Sequence, residues 1–113
     1  MKIKEITEAY ITFDNDNRIW FDHDQDCCEY NYADFKQIDD LALEWEFDED
    51  LKFESCPDSG FRFGNEGHMV FVPCYSYQNG YYTTWLDIYY GHNWGTLQIG
   101  DKVLGFNAKM DEY

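Results

Sequence analysis

The sequence predicts an α+β fold, a single β-rich domain built on a twisted antiparallel sheet with one or two short helices. Three observations carry this reading. The chain has 113 residues, the size of one compact domain. Aromatic residues make up 20% and apolar residues 44% of it, enough to build a core and unlike the composition of a disordered acidic chain. Short runs of β-branched and aromatic residues recur between clusters of Asn, Asp, Gly and Ser, the punctuation of strands and turns. Residues 1–113 are accordingly read as one domain.

In chain order, residues 3–13 read as a strand, Asp14-Asn15-Asp16-Asn17 as a turn and residues 18–21 as the returning strand of a hairpin. The alternation weakens over residues 26–41, where a short helix is expected around residues 32–38 with Asn31 or Asp34 as its cap. Leu43, Trp45 and Phe47 alternate with Glu44, Glu46 and Asp48, the signature of a strand with one buried face and one wet, wholly acidic face. Leu51-Lys52-Phe53 and Phe61-Arg62-Phe63 flank the turn-rich Cys56-Pro57-Asp58-Ser59-Gly60. Two aromatic strands, residues 68–77 and 81–90, are expected to pair through Gln78-Asn79-Gly80, because Asn-Gly suits the positive φ angles of a type I′ turn. A last hairpin is expected to join residues 95–99 to 102–106 through Gly100-Asp101.

Charge sets the function classes. Against 23 acidic residues stand 8 basic ones, a formal net charge of −15, of which −13 falls in residues 1–60. Such a field repels nucleic acid and anionic membrane and attracts basic surfaces. The expected partner is therefore a basic protein surface, with no direct nucleic-acid or membrane binding. No apolar run approaches the roughly 20 residues needed to span a bilayer, and the N-terminus lacks the apolar stretch of a signal peptide. A cytoplasmic location is expected, with Cys27, Cys28, Cys56 and Cys74 as free thiols.

Two groups of residues are candidates for a site. Asp22, Asp24 and Asp26 recur at every second position, as do Glu44, Glu46, Asp48 and Asp50. In extended chain this spaces like charges about 6.6 Å apart, a row that imitates a phosphate backbone. These seven are the expected partner-binding residues. The second group is Asp22-His23-Asp24-Gln25-Asp26-Cys27-Cys28-Glu29, which concentrates imidazole, carboxylate and thiol. These are transition-metal ligands, and Cys56, Cys74 or His68 are candidates to complete a tetrahedral zinc set. The plainer reading is that the cysteines are buried as small hydrophobes. A cysteine nucleophile is disfavoured, since Asp24, Asp26 and Glu29 would raise the thiol pKa. No catalytic residue is assigned, and no cofactor is required by the favoured reading. Tyr75, Tyr77, Tyr81, Tyr82, Trp85, Tyr89, Tyr90 and Trp94 form an aromatic cluster. Most of it is expected in the core and about a third on an exposed patch, by the half-buried character of antiparallel sheets.

The box His23-Asp24-Gln25-Asp26-Cys27-Cys28-Glu29 and the later Asn79-Gly80-Tyr81-Tyr82, followed by Trp85-Leu86-Asp87-Ile88, resemble an uncharacterised family of small phage and bacterial proteins. The resemblance covers residues 11–90, with a longer and more acidic middle at residues 41–58. It implies a phage or mobile-element origin and a compact β-rich fold, and it implies no reaction. A strand end and a turn at one edge of a sheet would place Cys27 and Cys28 beside Tyr81 or Tyr82. His23, Cys27, Cys28, Glu29, Tyr81 and Tyr82 thus form a second candidate site. The function expected first is a non-enzymatic acidic interaction protein, of the kind a phage encodes to occupy a basic nucleic-acid-binding site on a host defence protein. The alternative is a metal- or small-molecule-binding domain centred on Cys27-Cys28.

Overall fold

The computed structural model describes residues 1–22, 30–78, 80, 83–94 and 97–112. Within them run ten strands: β1 (Ile3–Ile6), β2 (Tyr10–Phe13), β3 (Asn17–Asp22), β4 (Tyr30–Ala33), β5 (Lys52–Cys56), β6 (Gly60–Asn65), β7 (His68–Gln78), β8 (Trp85–Trp94), β9 (Leu97–Asn107) and β10 (Lys109–Glu112). Two short 3₁₀ helices, Phe35–Gln37 and Asp40–Glu44, are the helical content of the described residues. The described residues are therefore mostly β with no α-helix among them, and the α+β expectation is not confirmed.

One sheet has the order β1-β2-β3-β8-β9 and is antiparallel throughout. The other runs β10-β7-β6-β5, with β4 also on β7. Its pairs are antiparallel except β10 with β7, which is parallel. Because β4 and β10 both pair with Tyr75 to Tyr77, they lie on opposite edges of β7. The sheets pack face to face across aromatic side chains, Phe13 on Phe63 at 6.3 Å, Phe61 on Phe106 at 6.2 Å and Phe53 on Tyr90 at 5.5 Å. Strand alternation supplies this layer: Val70, Val72 and Cys74 of β7 and Leu86 and Ile88 of β8 are buried at every second position.

Five local expectations are corrected. Residues 3–13 are two strands, because Thr7 Oγ1 accepts from the N–H groups of Ala9 and Tyr10, both at 3.1 Å, and turns the chain between β1 and β2. The helix expected at residues 32–38 is instead the end of β4 followed by Phe35–Gln37. Asn31 is buried in the core, and Asp34 at the N-cap position makes no side-chain cap bond. The strand expected at residues 43–48 is the end of Asp40–Glu44 followed by irregular chain, since Asp39 accepts from Leu41 N and buries Ala42 in a 3₁₀ turn. The strands flanking Asn79-Gly80 exist but do not pair: β7 belongs to one sheet and β8 to the other, so the link is a crossover. Finally, Gly100-Asp101 lies inside β9, which pairs with β8 along its whole length. β8 ends at Trp94 and the antiparallel β9 begins at Leu97.

Candidate functional site

Residues 39–50 carry Asp39, Asp40, Glu44, Glu46, Asp48, Glu49 and Asp50 and no Lys or Arg, and all seven acids are exposed. The segment has little regular structure, yet it is pinned at several points. Phe47 is buried against Phe13, centroids 5.9 Å apart, and against Phe63. Trp45 stacks on His68 at 4.8 Å. The Phe47 N–H donates to Met1 O at 2.7 Å, Asp48 N–H to Asn65 Oδ1 at 2.8 Å, and the Tyr90 hydroxyl to Glu49 O at 2.7 Å. These bonds fix the backbone while leaving the carboxylates in water. Glu46 pairs with the Met1 amino group at 2.9 Å, and Asn15 Nδ2 donates to Glu49 Oε1 at 3.1 Å. Among the described residues no Lys or Arg is within ion-pair distance of Glu44, Asp48, Glu49 or Asp50. The Asn15 contact also brings up the β2–β3 turn, which adds the exposed Asp14 and Asp16.

Asp22, the described member of the first acid row, does not lie beside the second row. Asp22 is exposed at the far end of β3, opposite Asp87 in the ladder. The acidic segment sits by Asn15 and Tyr90, at the end where β3 begins. Five residues of strand separate Asn17 from Asp22, about 17 Å. Glu44, Glu46, Asp48 and Asp50 are brought together on the pinned segment, without the strand spacing expected of them.

Asp24, Asp26, His23, Cys27, Cys28, Glu29, Tyr81 and Tyr82 lie outside the described residues. Their flanks are described and belong to one end of the molecule: β3 ends with Asp22 opposite Asp87, and β4 begins with Tyr30 opposite Tyr77. Below this end lies a buried polar network. Asn31 Nδ2 donates to the carbonyls of Thr83 and Trp85, each at 3.1 Å, and Ser76 Oγ donates to Asn31 Oδ1. Gln78 Nε2 donates to Ser76 Oγ at 2.6 Å and Thr83 O at 3.2 Å. The network ties β4 and β7 to the start of β8. Sequence reasoning missed it because it occupies inward strand positions where apolar residues are expected.

The further metal ligands do not converge with one another. His68 and Cys74 are six residues apart on β7, about 20 Å in extended chain. Cys74 alternates with buried Val72 and faces the core, while Cys56 is on the opposite, outward face of its sheet two strands away. Burial chiefly, with Asp34 and Cys56 contributing, pushes the Cys74 thiol far above its ordinary range. That makes Cys74 a packing residue. Of the aromatic cluster, Tyr77 and Trp85 are exposed and Tyr75, Tyr89 and Tyr90 half-buried. None of these five is fully buried, though Tyr90 packs against the core, and the side chains of Tyr81, Tyr82 and Trp94 lie outside the described residues.

A cleft of about 410 Å³ adjoins the acidic segment, lined by Asn17, Tyr90, His92, Ile99 and Asp101 with Gly91 and Gly100. Sequence reasoning missed this as well. The available signal was a pair of glycines inside strands, which marks close backbone approach. Gly91 and Gly100 face each other across β8 and β9, and a Cβ on Gly91 would stand 2.1 Å from Ile99 O.

No protein-family model, curated protein or solved structure matches the chain.

Proposed function

We propose that the protein is a non-enzymatic binding protein whose acidic surface, centred on Glu44, Glu46, Asp48 and Asp50, occupies a basic nucleic-acid-binding site on another protein. One observation carries the proposal. The most acidic stretch of the chain is held by buried Phe47 and by hydrogen bonds to its backbone, so its carboxylates project into water from a fixed backbone. A pre-ordered row of negative charge loses less conformational entropy on meeting a basic groove than a flexible tail does. It also steers encounter over distance. The resemblance to small phage proteins supplies the setting: an inhibitor of a host defence protein, acting in the host cytoplasm without a cofactor.

The test is the combined variant Glu44→Lys, Glu46→Lys and Asp48→Lys. Association with the partner should slow sharply while the folded structure stays intact, since all three side chains are exposed. An unchanged association rate would reject this surface. Metal analysis of protein purified without chelator or affinity-tag metal addresses the competing reading, in which stoichiometric zinc or iron would move the function to the Cys27-Cys28 box.

A further inference from the structure

The bond directions in the cleft beside the acidic segment follow from one group. Glu49 O is a backbone carbonyl and can only accept, so the Tyr90 hydroxyl donates to it. The hydroxyl in turn accepts from Asn17 Nδ2 at 2.9 Å. That orients the amide with Oδ1 toward His92, whose Nδ1–H donates to it at 3.0 Å. The tyrosine proton, the amide of Asn17 and the imidazole Nδ1–H are thus all engaged within this wall.

What the cleft offers a ligand is acceptors and apolar surface. Asp101 is exposed and stands opposite Tyr90 in the ladder. Burial and the nearby Glu49 and Asp50 carboxylates push the Tyr90 hydroxyl up to about 12, against the opposing hydrogen bond from Asn17. The Glu49 carbonyl bonded to the Tyr90 hydroxyl brings residues 49 and 50 up to this wall. No Lys or Arg is among the described lining residues. Lys102 follows Asp101, but strand alternation turns it to the other face, where it approaches Asp87 at 3.8 Å. Ile99, 54% exposed, adds an aliphatic surface beside the two rings.

We propose that this cleft receives an arginine side chain of the basic partner, the guanidinium meeting Asp101 with Glu49 and Asp50 beside it, and the aliphatic stem lying along Ile99. The inference rests on the acidic-surface reading and names the residue type that surface selects. Arginine fits better than lysine on two grounds. Its planar, five-donor head suits a wall of acceptors and stacks on rings, and it is more weakly hydrated than an ammonium group.

The experiment compares acetylated hexa-arginine and hexa-lysine peptides on the full chain at physiological salt. The arginine peptide should bind about tenfold more tightly, the difference a charge-assisted planar contact makes. Asp101→Lys should erase that preference, and Asp101 is exposed, so the fold should survive. N-acetyl-arginine methylamide should shift the ring resonances of His92. The combined lysine variant at residues 44, 46 and 48 should weaken both peptides by one factor and leave their ratio unchanged. Equal binding of the two peptides, or a preference that persists in Asp101→Lys, overturns the arginine site and leaves the acidic surface standing. Failure of both peptides to bind overturns both readings.

Discussion

Phe47 is the residue through which an acidic segment becomes part of a folded surface. Its ring fills the space between Phe13 and Phe63, and its N–H is bonded to Met1 O. Phe47→Ala should cost about 3–5 kcal/mol, the usual range for emptying a buried phenylalanine site. Denaturant unfolding would measure this, and a cost below about 1 kcal/mol would mean that the segment is not anchored there. Tyr90 permits a second prediction. Its hydroxyl is raised in the folded state from 10.0 to about 12, so the folded protein holds that proton more tightly than the unfolded chain. The stability this contributes is complete below pH 10 and is lost as pH rises through 12. A spectrophotometric titration should show a late-ionising tyrosine that is lost in Tyr90→Phe. The buried amides make a third case. Asn31→Ala should cost about 1–3 kcal/mol in the same unfolding assay, because it removes Nδ2 from the Thr83 and Trp85 carbonyls and takes from the buried Ser76 hydroxyl its Oδ1 acceptor.

Elements were legible where a local signal and the tertiary structure agreed. Asp14 to Asn17 turns as expected, with Asp16 at φ 69° and Asn15 Oδ1 accepting from Asn17 N–H. The turn between β5 and β6 likewise follows from its Pro, Asp and Gly. Elsewhere the pattern was real and its assignment failed. Leu43, Trp45 and Phe47 alternate, and Phe47 is buried, but Leu43 is exposed because Asp40–Glu44 turns as a 3₁₀ helix around Ala42. Asn79-Gly80 marks a break between strands, yet pairing partners are chosen across the whole molecule. β7 finds β6, β4 and β10, while β8 finds β3 and β9. The site was legible in the same measure. The exposed acids of residues 44–50 were readable from charge and alternation, whereas the cleft of Asn17, Tyr90, His92 and Asp101 joins strands remote in sequence. At this scale the combined variant Glu44→Lys, Glu46→Lys and Asp48→Lys should unfold within about 0.5 kcal/mol of the parent per site, as exposed positions do. A collapse in melting temperature would show that these carboxylates support the fold.

The described molecule is a two-sheet β structure of net charge −15, and seven of its exposed acids, Asp14, Asp16, Glu44, Glu46, Asp48, Glu49 and Asp50, lie toward one end of β3. A partner held mainly by such charges should bind less tightly as salt rises, since exposed charges are screened over about 8 Å at physiological ionic strength. The most direct measurement of the central claim is competition. The partner should be captured from a native lysate on the immobilised protein, then challenged with DNA and, separately, with rising salt, alongside the combined lysine variant. The account predicts a basic partner that DNA and salt both release and that the lysine variant fails to retain. A partner held equally by the lysine variant and undisturbed by DNA would contradict it.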